Sequence, residues 1–135
     1  MRSKQMTEQS VVEEESGEGL AVLAARTAAG MNATDILVFD VGDVLSIAGY
    51  FVVASASNVR LVRAVADEVE AQVKSMYGRP PVRTEGLREA QWTLIDYGDV
   101  VVHVFLDSVR EFYEIERLYM DAPQVDWTPA TVPFS

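Results

Sequence analysis

The sequence feature that most constrains this chain is a pair of apolar runs separated by a Gly-Asp dipeptide. Residues 92–97 read Trp-Thr-Leu-Ile-Asp-Tyr, Gly98-Asp99 follows, and residues 100–106 read Val-Val-Val-His-Val-Phe-Leu. This arrangement is typical of a β-hairpin with a two-residue turn, because Gly tolerates the positive φ that such a turn requires. The turn length fixes the pairing of the two strands, with Tyr97 opposite Val100 and Trp92 opposite Phe105.

This register sorts the hairpin side chains onto two faces, because successive residues of a strand point to opposite sides. One face is expected to pack into the core and carries Thr93, Ile95, Tyr97, Val100, Val102 and Val104. The other face is apolar with two polar members and carries Trp92, Leu94, Asp96, Val101, His103 and Phe105. We expect the second face to be covered in part by a helix and to be available in part to a partner.

Two further apolar runs precede the hairpin. Residues 34–41 read Thr-Asp-Ile-Leu-Val-Phe-Asp-Val, and residues 50–54 read Tyr-Phe-Val-Val-Ala. Unbroken runs of large apolar residues indicate strands that are covered on both faces. Residues 34–41 are therefore predicted to form a central strand of the sheet, and Gly42-Asp43 is predicted to form the turn that follows it.

Helical patterns flank these strands. An Ala-rich helix is expected to start at Leu20 and to end at Gly30. A longer helix is predicted to begin after Ser57 or Asn58, either of which can cap it, and to stop at Gly78. Its predicted buried stripe follows a spacing of three and four residues: Val59, Val62, Ala66, Val69, Val73 and Met76. The polar connection that comes next is predicted to include a short strand at residues 82–84.

The last helix is predicted to run from Ser108 to about Asp121. Glu111 stands three positions after Ser108, which is the pattern of a capping box. The predicted inner stripe consists of Val109, Phe112, Ile115 and Tyr119. Tyr113 lies beside this stripe and Leu118 lies further round, so this helix has more large side chains than one buried face needs.

The domain organisation follows from length and local composition. A chain of 135 residues suits one domain, which we predict at residues 18–121. Residues 1–17 are polar and contain three consecutive Glu residues, so they are predicted to form a flexible acidic tail. Residues 122–135 contain three Pro residues and are predicted to be irregular.

Charge and composition exclude several classes of function. With 11 basic and 21 acidic residues the formal net charge is −10, which opposes charge-driven binding to nucleic acid. The absence of Cys and the presence of a single His exclude a structural zinc site, and we expect no cofactor. No stretch approaches the roughly 20 apolar residues that span a membrane, so a cytoplasmic protein is expected.

Several acidic residues allow an enzymatic alternative. Asp40 with Asp43, and Asp96 with Asp99, resemble the paired carboxylates that hold magnesium in phosphoryl transfer. The stronger interpretation is that Asp43 and Asp99 stand beside Gly because Asp favours turns. His103 and Asp96 share a hairpin face and could form a general-base pair, but a partly buried structural His is the more common case.

A longer motif points to a known family. It consists of Glu85-Gly86, Trp92, the run Asp96-Tyr97-Gly98-Asp99-Val100-Val101-Val102-His103-Val104, and then Arg110, Phe112-Tyr113, Glu116 and Leu118. This succession resembles the signature of the Iojap-related ribosomal silencing factors, the RsfS family. Residues 34–41, 50–54 and 57–70 are similar to the first two strands and the long helix of that family.

The resemblance implies both a fold and a function. The fold would be α/β (α+β), with a mixed β-sheet flanked by helices and an outline similar to that of nucleotidyltransferases. The family binds the large ribosomal subunit through the fourteenth large-subunit ribosomal protein, on the intersubunit face. It thereby blocks joining of the small subunit sterically and lowers translation under starvation. A chain of this family would need affinity and placement, but no catalysis.

The residues themselves agree with a protein partner. Ribosomal proteins are mostly basic, so a chain with a charge of −10 is attracted to them and repelled by rRNA phosphates. The predicted contact residues are four hydrophobic anchors and three acidic residues: Trp92, Tyr113, Leu118, Tyr119, Glu85, Asp96 and Asp99. Two alternatives remain open, a metal-dependent nucleotidyl- or phosphotransferase and a homodimeric scaffold whose exposed aromatic residues pair with themselves.

Overall fold

A mixed five-stranded β-sheet organises the structure, a computed structural model that describes residues 17–42, 49–119 and 121–128. The strands are β1 (Thr34–Asp40), β2 (Tyr50–Ala56), β3 (Arg83–Glu85), β4 (Trp92–Asp96) and β5 (Val100–Leu106), in the spatial order β1-β2-β5-β4-β3. The helices are α1 (residues 17–30), α2 (Val59–Tyr77) and α3 (Asp107–Tyr113), and a 3₁₀ turn at Ile115–Tyr119 follows α3. The predicted fold class is confirmed.

Three predicted regions lie wholly or partly outside the described residues. They are the acidic tail apart from Gly17, Asp43 of the predicted Gly-Asp turn, and the end of the C-terminal segment from residue 129. Within the described residues, no helix has the length and apolar character that crossing a membrane requires.

The β4–β5 hairpin has the predicted register. Trp92 pairs with Phe105 and Asp96 with Val101, and the Tyr97 N–H donates to the Val100 carbonyl over 2.8 Å. Gly98 has a φ of 93°, a conformation that a side chain would disfavour. The local turn chemistry is therefore sufficient to fix which hairpin side chains share a face.

Strand β2 lies parallel to β5, and this pairing joins the hairpin to the N-terminal strands. Tyr50 pairs with Val100 and Val52 with Val102, while β1 and β2 are antiparallel. The two parallel strands are far apart in the sequence, and α2 lies in the connection between them. A parallel pair requires such a long crossover, and this crossover places the helix against the sheet.

The prediction of a central position for residues 34–41 is wrong, because β1 is an edge strand. Both of its faces are nevertheless buried, since Val38 and Phe39 lie in two different core clusters. Its outer edge is covered by the C-terminal segment: the Asp40 N–H donates to the Pro123 carbonyl and the Val125 N–H to the Val38 carbonyl, each over 2.8 Å. An apolar run in the sequence therefore indicates that both faces of the strand are covered, but it does not indicate that the strand is central in the sheet.

Helices α1 and α2 cover one side of the sheet, which we call the closed face. On the hairpin it consists of the six predicted core residues, and all of them are buried: Thr93, Ile95, Tyr97, Val100, Val102 and Val104. Asn58 caps α2 by accepting from the Leu61 N–H over 2.8 Å, and Gly78 ends the helix with a φ of 66°. The α2 stripe is buried from Val62 to Val73, but Met76 is 66% exposed, so its predicted burial is wrong.

The prediction of one continuous last helix is also wrong. Helix α3 stops at Tyr113 because Glu114 adopts a left-handed conformation, with a φ of 47°, and its N–H donates to the Arg110 carbonyl. The capping box is absent, since the helix begins one residue earlier and Leu106 occupies the N-cap without a side-chain bond. Ile115 of the predicted stripe is buried, but Phe112, which precedes the break, is 81% exposed, so its predicted burial is wrong.

Candidate partner-binding face

The side of the sheet opposite α1 and α2 carries an incompletely covered apolar surface. We call it the open face and define it by Phe51 on β2, Trp92 and Leu94 on β4, and Val101 and His103 on β5. Strand pairing makes these side chains neighbours, because Phe51 pairs with Val101 and Leu94 with His103. Four of the five side chains are only partly buried, and His103 forms the floor.

Helix α3 and the 3₁₀ turn cover only one end of this side of the sheet. Val109, Ile115 and Tyr119 pack there with the buried rings of Phe39 and Phe105. Phe51 packs against Tyr119 at the margin of this cover, and Phe51, Leu94 and Val101 all remain partly exposed. The expectation that the second hairpin face is partly covered by a helix is confirmed, and the partly exposed Val101 lies beside Phe51 of β2.

A row of aromatic rings crosses the open face. The Trp92 ring lies 4.6 Å from Phe105 and 5.1 Å from Tyr113, measured between ring centroids. Phe51 lies 5.3 Å from His103 and 5.0 Å from Tyr119, which it meets edge on. These separations are typical of favourable aromatic pairs, so the rings hold one another in defined orientations.

His103 is a buried and neutral member of this row. Its Nδ1 accepts from the Trp92 indole Nε1–H over 3.1 Å, which places the ring proton on Nε2. Burial lowers the pKa of His103 from 6.5 to about 4, because the charged ring would lose its hydration. The Nε2 atom is buried and has no hydrogen-bond partner in the described structure. His103 therefore orients Trp92 and is uncharged at neutral pH.

An acidic margin borders the open face on the side of β3. Asp96 accepts from the Arg83 Nε over 3.2 Å and from the Gly98 N–H over 2.7 Å, and Arg83 also lies 3.5 Å from Glu85. Register places Arg83 and Glu85 on the same side as the open face, opposite Asp96 and Leu94. A network of two carboxylates and one guanidinium leaves this margin net acidic.

Asp99 occupies a different position, at the corner where the hairpin turn meets the end of α2. Its carboxylate forms a two-point contact with the Arg79 guanidinium, at 2.6 and 3.3 Å, and Arg79 also donates to the Tyr97 carbonyl. Hydrogen bonding to Asp99 raises the pKa of Arg79. Asp99 therefore ties the turn to the segment after α2.

The structure brings together most of the predicted contact residues. Trp92 and Tyr113 pack against each other, Tyr119 adjoins Phe51, and Glu85 and Asp96 form the margin. Trp92 is both packed and partly exposed, so neither a purely structural nor a purely exposed position describes it. Leu118 lies in the 3₁₀ turn, but its side chain falls outside the described part of the structure.

Three residues at or near this surface are not among the predicted contact residues: Phe51, Leu94 and Phe112. Phe51 joins the hairpin only through the parallel pairing of β2 with β5, which no local pattern in the sequence indicates. Hairpin alternation places Leu94 on the correct face, and the signal for it is the alternation with the buried Thr93 and Ile95. The predicted inner stripe includes Phe112, because Phe112 continues the spacing of three and four residues that joins Val109 to Tyr119.

The enzymatic alternatives find little support in this geometry. His103 and Asp96 do not bond to each other, since Trp92 occupies Nδ1 and the Asp96 oxygens accept from Arg83 and Gly98. Among the described residues, no three acidic, His or Cys side chains are close enough to share a metal ion. Asp43, the second member of the first carboxylate pair, lies outside those residues.

Comparisons with known proteins agree with the hairpin motif. The family model for RsfS, described as the ribosomal silencing factor during starvation, matches residues 13–133. The ribosomal silencing factor RsfS of Bacillus subtilis is 38% identical over 104 residues, which cover 77% of this chain and 87% of that protein. The chloroplastic protein Iojap of Arabidopsis thaliana is 32% identical over 106 residues, which cover 78% of this chain and 44% of the plant protein.

Solved structures show the same relationship. A crystal structure of a protein from Chromobacterium violaceum superimposes with a TM-score of 0.73 and 32% sequence identity, covering 88% of this chain and 98% of that one. A second crystal structure, from Bacillus halodurans, gives a TM-score of 0.68 at 30% identity. Because sequence and fold agree over most of its length, the chain belongs to the RsfS family of Iojap-related ribosomal silencing factors.

Proposed function

We propose that this protein lowers translation during starvation by binding the large ribosomal subunit and sterically blocking the small subunit from joining it. The proposed contact is the fourteenth large-subunit ribosomal protein, on the intersubunit face. Membership in the RsfS family supports the silencing role. The single structural observation that supports a docking mechanism is the open face, where Phe51, Leu94 and Val101 form an apolar surface that remains partly exposed.

The energetics of the open face suit a protein interface. Binding energy concentrates in a few well-packed aromatic and Arg residues that lose their water on contact. Trp92 is already held by Phe105, Tyr113 and His103, so little side-chain entropy would be lost when a partner covers it. The neighbouring Leu94 and Val101 would supply complementary apolar area around this anchor.

Charge selects the kind of partner. The chain has a net charge of −10, and Asp96 and Glu85 border the open face. Such a surface is attracted to a basic protein and repelled by phosphate, so we infer a ribosomal protein and not rRNA as the primary contact. We expect association to slow as salt is added, because screening weakens long-range attraction.

We infer that the protein is a cytoplasmic regulator. A steric mechanism needs no reaction, so we expect neither a cofactor nor catalytic residues. A homodimer is a second candidate because Phe112 and Tyr113 are 81% and 55% exposed on α3. Such a dimer could coexist with ribosome binding if the copies separate on the subunit. A concentration series in sedimentation equilibrium would detect it.

The test combines purified protein with isolated large and small subunits and follows whole-ribosome formation by light scattering and gradient sedimentation. We expect the protein to sediment with large subunits and to reduce joining. Leu94→Glu should abolish both effects, whereas Met76→Glu, an exposed apolar site on α2, should leave them unchanged. Unaltered joining at saturating wild-type protein would refute the proposal.

The transferase alternative has a separate test. A ligand that binds only the folded state raises the melting temperature. Magnesium with a nucleotide at millimolar concentration should therefore leave the melting temperature of this protein unchanged if it acts sterically. An increase that is lost in Asp40→Asn would favour the enzyme instead.

A further inference from the structure

A small cleft adjoins the open face between α3 and the loop that precedes β4. Its volume is about 160 Å³, and it is lined by Gly86, Glu89, Gln91, Trp92, Val109 and Tyr113. The rings of Trp92 and Tyr113 lie 5.1 Å apart at an interplanar angle of 51°, so they form an angled aromatic wall. Among the described residues that line the cleft, Glu89 supplies the one carboxylate and none is basic.

The loop that forms the other wall is held in place. Gly86 has a φ of 78°, and a Cβ at this position would lie 2.1 Å from the Trp92 carbonyl oxygen. The Ala90 N–H donates to the Gly86 carbonyl over 2.9 Å, and Arg63 donates to the carbonyls of Leu87 and Arg88. A cleft with walls fixed in this way requires little rearrangement to receive a side chain.

We propose that this cleft receives an arginine side chain of the basic partner. A guanidinium is flat and stacks on aromatic faces, and a cation within about 6 Å of a ring centroid is attracted to the negative face of the ring. Trp is the strongest aromatic partner for a cation, and the Glu89 carboxylate at the same cleft complements the charge. The proposal rests on the proposed function for the identity of the partner, but not for the chemistry of the cleft.

The charge around the cleft points in the same direction. From Arg83 to Glu114 the sequence carries seven acidic and three basic residues. One of the three basic residues, Arg110, is buried and donates to Ser55 Oγ over 2.8 Å. Another, Arg83, contacts Asp96 and Glu85. The region around the cleft therefore retains an excess of negative charge for an incoming cation.

The first experiment tests the chemistry without the ribosome. The probe is N-acetyl-arginine amide, the control is the neutral isostere N-acetyl-citrulline amide, and the readout is the pair of indole N–H signals from Trp92 and Trp127 in NMR spectra. We expect saturable shifts at Trp92 with the arginine probe and none at Trp127, which bonds to the Ile36 carbonyl elsewhere. Glu89→Gln should weaken this binding about threefold, the size expected for an exposed ion pair.

The matched control is Asp67→Asn, which makes the same charge change on the exposed side of α2. It should leave the arginine affinity unchanged. Equal shifts with arginine and citrulline probes would overturn the proposal, as would equal effects of the two substitutions. Either result would show that the cleft does not recognise the cation.

The second experiment measures large-subunit binding of Glu89→Lys and Asp67→Lys. We expect the first variant to bind about tenfold more weakly and the second to match the wild type. Subunit binding that is insensitive to Glu89→Lys would overturn this proposal and leave the proposed function intact. Arginine binding by a wild-type protein that does not capture large subunits would refute the proposed function and leave the cleft chemistry standing.

Discussion

The two sides of the sheet are formed by the same strands but differ in the type of side chain that they carry. The closed face is formed mostly by Val, Ile and Ala side chains, together with Thr93 and Tyr97, and α1 and α2 cover it. The open face carries aromatic rings and a neutral His, and α3 with its 3₁₀ turn covers only one end of it. Aliphatic side chains fill a core efficiently, whereas fixed aromatic rings are suited to a surface that must be buried later.

Strand β4 shows the difference between the two faces in two adjacent residues. Ile95 on the closed face is fully buried, whereas Leu94 on the open face is partly exposed. If the open face binds the proposed partner, the alternation of side chains along β4 separates folding from partner binding by a single residue. If the two sides have these separate roles, substitutions at the two positions must have different consequences.

The largest effect is expected from Ile95→Ala. This change leaves a cavity in the closed face, and we expect it to lower the free energy of unfolding by about 2–5 kcal/mol. Leu94→Ala should cost about 1 kcal/mol or less, because the site is already partly hydrated. Urea denaturation followed by circular dichroism measures both values.

The same two variants are also compared in large-subunit binding. Leu94→Ala should weaken it several-fold, while Ile95→Ala, measured where the protein remains folded, should leave it nearly unchanged. Equal stability losses for the two variants would mean that the open face is as well packed as the closed face, and the division into two roles would be wrong.

The second prediction concerns pH and the floor of the open face. The pKa of His103 is about 4 in the folded protein and near 6.5 when unfolded, so the unfolded chain takes up a proton first as the pH falls. The contribution of the neutral ring is complete above about pH 6.5 and is lost as the pH falls toward 4. The shift of roughly two and a half pKa units corresponds to about 3 kcal/mol.

His103→Asn removes this titration and keeps an acceptor, Oδ1, near the position of Nδ1 for the Trp92 N–H. We expect the wild type to lose about 3 kcal/mol more stability than His103→Asn between pH 7 and pH 4. Carboxylates titrate equally in both proteins, so the difference between the two curves isolates His103. Parallel curves would show that His103 is hydrated in the folded protein.

Local chemistry explains what could be predicted about the fold from the sequence. The hairpin register depends on a two-residue turn and on strict alternation, and both are visible in residues 92–106. The edge position of β1 depends on pairing with β2 alone and on Pro123 and Val125 closing its outer side. The contacts with Pro123 and Val125 join residues more than 80 positions apart, and no pattern within residues 34–41 distinguishes an edge from a central position.

The site was predictable to a similar extent. Trp92 and Asp96 follow from hairpin alternation, but Phe51 reaches them only through a parallel pairing across the α2 crossover. The prediction of one long last helix was wrong for a different reason. The helical spacing of apolar residues continues past Tyr113, whereas the backbone adopts a left-handed conformation at Glu114. Gly or Asn usually occupies that conformation after a helix, so the Glu at position 114 does not indicate a helix end.

The third prediction tests whether the edge of β1 belongs to the closed side. Trp127 packs against the core cluster of the closed face, and its indole N–H donates to the Ile36 carbonyl over 3.1 Å. Trp127→Phe keeps an aromatic ring but removes the indole donor and part of the packed ring area, so we expect a stability loss of at least about 1 kcal/mol. Large-subunit binding by the folded variant should stay unchanged, and a selective loss of binding would place this edge within the partner surface.

The smallest effect on stability is expected at Phe112, which is 81% exposed and contacts the Tyr113 ring edge on at 5.1 Å. Phe112→Ser should change the free energy of unfolding by about 0.5 kcal/mol or less, because almost no buried area is removed. If the partner surface extends from Trp92 across Tyr113, this variant should bind large subunits several-fold more weakly, whereas Met76→Ser should bind normally. Unchanged subunit binding together with reduced self-association would instead assign Phe112 to a second copy of the chain. That result would place the limit of the proposed partner surface at Tyr113. Subunit binding by the Phe112 variant therefore decides where that surface ends.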